Sequence, residues 1–269
     1  MKAFVIDVGI CNGCYCCQIS CKDEHVGNDW TPYAKPQPDT GQFWLKQHEF
    51  IRGTVPKVKM YYRPVLCMHC DEAPCMPSCP IEGAIYKRDD GLVIIDPEKC
   101  TGCKNCVDAC PYGVIYFNED LNIAQKCTGC AHLIDKGWKE PRCVDACPTG
   151  ALKFGEESEF KDLIKKAEVL HPEYKAKPRV YYLNIPRKFV AGTVYDPVEK
   201  EVVIGANCTL SSNGKKLTAA TDGFGDFWFE GLDVGNYSLK IEAKGFAGKT
   251  IDSISTEKDV NLGDIPLSK

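Results

Sequence analysis

Cys100-Thr101-Gly102-Cys103-Lys104-Asn105-Cys106-Val107-Asp108-Ala109-Cys110-Pro111 carries four thiols separated by two, two and three residues and ends on a proline. The same grammar recurs on either side of it. Cys67, Cys70, Cys75 and Cys79 lie upstream, with Pro80 behind the last thiol. Cys11, Cys14, Cys17 and Cys21 form the first group, with Lys22 where the others have proline. Cys127, Cys130, Cys143 and Cys147 form the last, with twelve residues inside it and Pro148 behind. Sixteen of the eighteen cysteines fall in these groups.

Clustering of this kind argues against a disulfide framework, which scatters its cysteines through a short secreted chain. Residues 1–7, MKAFVID, begin like a strand, with neither the basic region nor the apolar core of a secretory leader, so the thiols are expected to be reduced when the protein is made. Three closely spaced thiolates on one tight loop can wrap three corners of an iron–sulfur cube, and nearby backbone N–H groups offset the negative charge. The fourth corner needs a residue from elsewhere. In the bacterial ferredoxin pattern the fourth cysteine of a run ligates the other cluster, so the groups are read in pairs. Zinc is the plain alternative, but it is held by pairs of cysteines and has no use for a third and fourth at these spacings. The expectation is four [4Fe–4S] clusters.

Two cysteines are left over. The spacing selects Cys17 over its neighbour Cys16, and both Cys16 and Cys208 are expected to be small packed side chains. Histidine can ligate iron in Rieske centres, but the paired Cys-x-His motifs these need are absent among His25, His48, His69, His132 and His171. His69 and His132 lie beside ligand cysteines and are expected to tune or support them by hydrogen bonding. No Ser/His/Asp set, phosphate-binding glycine loop or paired carboxylate motif occurs, so the chain carries no catalytic residues of its own.

The chain has 269 residues and a net charge of −4, with no basic run to serve as a nucleic-acid footprint. No apolar stretch reaches the ~20 residues that span a bilayer, so membrane attachment would come through another subunit. The thiol groups stop at Cys147, which suggests two domains, 1–187 and 188–269. In the first, hairpins are expected over 84–96 and 113–125, each linking one thiol group to the next. Residues 28–62 read as an insertion that covers a surface. The spacing of Phe160, Leu163, Ile164, Ala167 and Leu170 predicts an amphipathic helix over 158–171, and 180–183 a return strand. From Phe189 onward, short β runs punctuated by Gly and Asp-Gly predict a small sandwich with a core around Phe227, Phe229, Leu232, Tyr237 and Leu239.

The four groups, in this order and with the long gap inside the fourth, resemble the iron–sulfur (beta) subunits of molybdopterin oxidoreductases related to dimethyl sulfoxide reductase, over residues 1 to about 187. The resemblance implies crossed ligation. One cluster would take Cys11, Cys14, Cys17 and Cys147, and a second Cys127, Cys130, Cys143 and Cys21. A third would take Cys67, Cys70, Cys75 and Cys110, and the fourth Cys100, Cys103, Cys106 and Cys79. It also implies an α+β chain, with tandem ferredoxin-like 4Fe–4S modules lined up as a wire before a small all-β Ig- or transthyretin-like sandwich. The implied partner is a large catalytic subunit carrying molybdenum or tungsten on molybdopterin guanine dinucleotide. An external electron carrier or a membrane subunit is the further partner implied.

Residues 52–64, 67–70, 111–114, 125–127 and 177–182 resemble more narrowly a transhydroxylase branch of that family acting on hydroxylated aromatics. Residues 221–229 with Gly235-Asn236-Tyr237 resemble the carboxypeptidase-regulatory, transthyretin-like module. A small subunit of that branch is known for lacking one ligand set, whereas all sixteen positions are filled here, which tilts the reading toward an aromatic hydroxylase or dehydroxylase that exchanges electrons. Arsenate, polysulfide or thiosulfate reductases would use the same wire. A free polyferredoxin carrier is the alternative of another class; a scaffold or adhesion protein built on the sandwich is at odds with the thiol groups. The cytoplasm is the default compartment, and co-export with a twin-arginine partner is compatible with it.

Overall fold

A computed structural model describes residues 1–269. They divide into two compact units, one of residues 1–50 and 61–185, the other of residues 51–60 and 186–269. The architecture is α+β.

The first unit is organised around the strand Lys2–Asp7, whose residues Ala3 to Ile6 are all buried. An apolar run buried on both faces belongs at the centre of a sheet. It pairs antiparallel with Leu152–Glu156 and parallel with Val180–Leu183. The two expected hairpins form with three-residue strands, Ile85–Lys87 with Val93–Ile95 and Tyr116–Asn118 with Ile123–Gln125.

Each thiol group ends on a helical turn, because three intervening residues put its third and fourth thiols one turn apart on the same face. The helices are Cys16–His25, Cys75–Ser78, Asn105–Ala109 and Arg142–Asp145. Cys16–His25 packs against Arg142–Asp145, and Cys75–Ser78 against Asn105–Ala109. The prolines act through the residue before them. Pro80 and Pro111 disfavour the helical conformation at Cys79 and Cys110, which adopt extended backbones (φ −80°, ψ 124° and φ −80°, ψ 107°) and leave their helices. Cys21, followed by Lys22, stays inside the helix Cys16–His25.

Two segments differ from expectation. The helix over 158–171 is not continuous: a 3-10 turn, Glu157–Phe160, runs into a short helix, Lys161–Ile164. Beyond it, Glu168 exchanges two backbone hydrogen bonds of 2.8 Å with Tyr182. The open edge of the strand Val180–Leu183 thus takes the backbone that helical spacing alone would have kept coiled. The insertion contains a second unforeseen element, Leu45–Thr54 paired with Lys57–Leu66 in a two-stranded sheet.

The second unit is a sandwich. One sheet has the order Glu201–Val202, Lys188–Asp196, Asp226–Leu232, with Val260–Pro266 pairing in parallel with Lys188–Asp196. The other runs Lys215–Ala220, Asn207–Ser212, Asn236–Glu242, Lys249–Ser255. Phe227, Phe229, Leu232 and Leu239 are buried in its core with Cys208, and Tyr237 packs half-buried against them. Residues 51–60, from the hairpin, also belong to this unit. Arg52 holds Asp259 through two hydrogen bonds, at 2.9 and 2.5 Å. Lys57 pairs with Asp226, and Lys57 and Lys59 lie over the Trp228 ring. No helix in the chain is long and apolar enough to cross a membrane.

Candidate iron–sulfur centres

The loop that starts each group is shaped by left-handed residues. In Cys11–Cys17 these are Gly13 (φ 70°) and Tyr15 (φ 62°), and at the matching places of Cys100–Cys106 they are Gly102 (φ 74°) and Lys104 (φ 63°). In the fourth group the left-handed residues are consecutive, Gly129 (φ 64°) and Cys130 (φ 50°). The alternation in the first and third groups turns successive N–H groups inward and makes a concavity suited to an anion. At Gly13 glycine is required twice over, since a Cβ there would lie 2.5 Å from the Tyr62 ring. The second group has His69 (φ 44°) at that place. Its ring is held by the Val93 N–H, which donates to Nδ1 at 3.0 Å.

The thiols gather across the groups. Burial, then Cys11, Cys147 and Cys14, push the Cys17 thiol up to about 12, so Cys147 of the last group stands with the first three thiols of the first. Burial, then Cys130, Cys21, Cys127 and Cys17, hold Cys143 well above its ordinary value. Cys70 is pushed up to about 12 by burial, then by Cys67, Cys75 and Cys110. Cys106 is pushed to about 12 by burial, then by Cys100, Cys75, Cys103 and Cys79. Crowded, buried thiols resist ionisation, whereas ligation to iron stabilises their thiolates. Cys147 departs from the rest: burial opposes ionisation, but hydrogen bonds from the Leu152 N–H, the Thr149 hydroxyl and nearby N–H groups hold its thiol below the ordinary value.

One of these gatherings encloses a cavity. Cys67, Cys70, Cys75 and Cys110 line it with Val93 and Tyr112 around about 340 Å³ of empty space, including its mouth. No three His, Cys, Asp or Glu side chains close to the spacing of a single bound ion. A cube with an iron at each corner keeps its four cysteine sulfurs farther apart than the ligands of one zinc, which lie at ~2.3 Å from the metal.

Buried polar atoms without protein partners lie beside the thiols. Because His69 Nδ1 accepts from Val93, its proton sits on Nε2, which is buried and unpartnered. Thr128 Oγ1, between Cys127 and Cys130, is likewise unpartnered. The Cys17 thiol donates to Gln47 Oε1 at 3.9 Å while Gln47 Nε2 has no partner. Loss of the thiol proton on ligation would let that amide turn and donate to the sulfur. A sulfide-bearing cluster offers acceptors to such donors, so the residues present fit the group.

The remaining candidates separate. Cys16 is exposed at the start of its helix beside Cys14, just after the left-handed Tyr15, and not packed as expected. Cys208 is fully buried in the sandwich. His132 stacks on Trp30 and meets Glu24 at 3.0 Å. His25, not singled out by spacing, lies with Nε2 4.0 Å from the Cys130 sulfur. His48 and His171 line a surface pocket with Arg63 and Tyr112. Gln47 and Lys126 also escaped sequence reasoning; for Lys126 the available signal was a charged residue within the buried run 123–130.

Residues 58–157 match the family described as a 4Fe–4S dicluster domain, and residues 190–268 that described as a carboxypeptidase regulatory-like domain. The chain is 41% identical to the pyrogallol hydroxytransferase small subunit of Pelobacter acidigallici, over 98% of each chain. It is 35% identical to a tetrathionate reductase subunit of Salmonella typhimurium, over 70% of this chain and 74% of that one. To the arsenate respiratory reductase iron–sulfur subunit of a Shewanella species it is 44% identical, over 42% of this chain and 44% of that one.

Proposed function

This chain belongs to the family of iron–sulfur subunits of molybdopterin oxidoreductases, and we propose that it is a four-cluster electron relay serving a large catalytic subunit that acts on a hydroxylated aromatic substrate. The single observation that carries the reading is the cavity in which Cys110 stands with Cys67, Cys70 and Cys75. A thiol from one group completing a ring of three from another is what crossed ligation of two cubes requires.

The same rule assigns Cys11, Cys14, Cys17 and Cys147 to one cluster, and Cys21, Cys127, Cys130 and Cys143 to the next. Cys67, Cys70, Cys75 and Cys110 take the third, and Cys79, Cys100, Cys103 and Cys106 the fourth. The helix pairs packed beneath them support the reading of two tandem ferredoxin-like modules. Neighbouring thiols give the order. Cys17 adjoins Cys143 between the first two sets, the Cys67 N–H faces the Cys127 sulfur between the second and third, and Cys75 adjoins Cys106 between the third and fourth. Cys14 and Cys103, in the end sets, are the exposed ligands.

When bound, the clusters supply one-electron carriers. The protein holds sixteen thiols in place, aims backbone N–H groups at the sulfurs, and buries all the thiols of the central sets but the half-buried Cys110, where each N–H counts for more. The substrate class rests on the similarity to the pyrogallol hydroxytransferase small subunit, which runs through the second unit, whereas the match to the tetrathionate reductase chain covers 70% of this one. Isolation from the native host tests the proposal. The chain should copurify with a molybdopterin subunit whose activity toward a hydroxylated aromatic reduces or oxidises the clusters. Recovery as a lone protein with full clusters would overturn it.

A further inference from the structure

Lys126 is among the largest wholly buried side chains of the molecule, and its Nζ reaches no carboxylate. It donates to two backbone carbonyls, Val93 and, at 3.1 Å, Cys127. A charge removed from water persists only beside an opposite charge or in a dense set of hydrogen bonds. Two carbonyls leave a third donor of the ammonium unused. The missing counter-charge is a matter of position. Val93, whose carbonyl Lys126 holds, lines the cavity of Cys67, Cys70, Cys75 and Cys110. Cys127, the other anchor, belongs to the neighbouring set. The Cys75 thiol, pushed up to about 11 by burial, is drawn back by Lys126, and Lys126 acts in the same sense on Cys127. The lysine therefore stands at the seam between the two central sets.

We propose that Lys126 is the fixed counter-cation of the two central clusters and favours their reduced states over those of the end clusters. This rests on the four-cluster reading above. Iron bound by thiolates and sulfides carries net negative charge that grows by one with each electron, and a buried cation nearby stabilises the added charge with little screening. The end sets lack an equivalent. Lys104, beside Cys103, is exposed and paired with Glu119. Lys126 binds no iron and is a positioning residue; an electron passing between the central clusters meets it at the junction of the two modules.

The experiment is a redox titration of the intact complex, with each cluster followed by its electron paramagnetic resonance signal, on the wild type and on Lys126→Gln, Lys126→Met and Lys126→Arg. With Gln or Met, two of the four clusters should become harder to reduce, by about tenfold in the reduction equilibrium, which is ~59 mV for a one-electron couple. The other two should stay in place, and Arg should restore the wild-type values. If Gln and Met fail to retain iron while Arg retains it, the requirement is for charge and the proposal stands. Full iron content in the Met variant with all four potentials unchanged would overturn it, as would an equal shift of all four, or an Arg variant as defective as Met. Failure of the four-cluster reading shows separately, as wild-type protein with well under about sixteen iron atoms per chain.

Discussion

Cys110 shares a cavity with Cys67, although its own sequence group opens at Cys100. Pro111 is the local cause, since it draws Cys110 out of the helix Asn105–Ala109 and into an extended conformation. The crossed ligation proposed above would set Cys110 with the three thiols of the upstream group. Cys110→Ser should therefore perturb the cluster of Cys67, Cys70 and Cys75 and leave that of Cys100, Cys103 and Cys106 spectroscopically intact. Cys147→Ser should do the same to the cluster of Cys11, Cys14 and Cys17. Damage confined to the mutated residue's own sequence group would show that the ligation is not crossed.

Cluster loss should follow exposure. Cys14 and Cys103, in the sets proposed as the two ends, are exposed, whereas Cys21, Cys127, Cys130 and Cys143 are buried, as are Cys67, Cys70 and Cys75. Under a ferrous chelator with mild oxidant, iron release should be biphasic, with about half leaving fast and the central sets holding the remainder. Freeze-quenched resonance spectra would show which signals survive, and simultaneous loss of all four would contradict the ordering.

The left-handed loops can be tested through Gly13. An alanine would have to hold φ near 70° and displace Tyr62, costing about 1–3 kcal/mol. Urea denaturation of Gly13→Ala should show that loss together with a selective deficit in the cluster of Cys11, Cys14 and Cys17. Gly137→Ala makes a useful contrast, because a Cβ there meets nothing within 4 Å while the backbone is equally left-handed (φ 91°).

Much of the site was legible because thiol chemistry dictates spacing. Two-two-three intervals mark the loops of the first and third groups, and the prolines after Cys79, Cys110 and Cys147 mark where the chain leaves a helical turn. Other features were hidden for physical reasons. Helical periodicity over 158–171 could not foresee that Tyr182 would hydrogen-bond Glu168 across an open strand edge. The hairpin around 45–66 has an irregular burial pattern and so lacks clean alternation. Lys126 sits beside a ligand, but its burial is set by tertiary packing on Val93 that no local spacing encodes.

The ion pair between Arg52 and Asp259 ties residues 51–60 into the second unit. Both partners are largely buried, and Asp259 also accepts the Phe189 N–H at 3.1 Å. Arg52→Ala should leave a buried carboxylate without its fork, destabilising that unit by about 3 kcal/mol. A lowered urea midpoint with unchanged iron content is the expected result.

The two spare cysteines separate ligation from packing. Cys16→Ala should leave iron content and resonance signals as they are, since the thiol is exposed and outside the four sets. Cys208→Ala should likewise keep all the iron while costing about 1 kcal/mol in the sandwich, where the side chain is wholly buried.

The most direct measurement is the iron and sulfide content of the natively purified complex, combined with Mössbauer spectra of the iron-57-labelled protein. About sixteen iron and a matching amount of sulfide in this chain, all in [4Fe–4S] environments reducible by turnover of the catalytic partner, are expected of a four-cluster relay. Zinc in the thiol sets, fewer than four clusters, or clusters that never change oxidation state during turnover would contradict it.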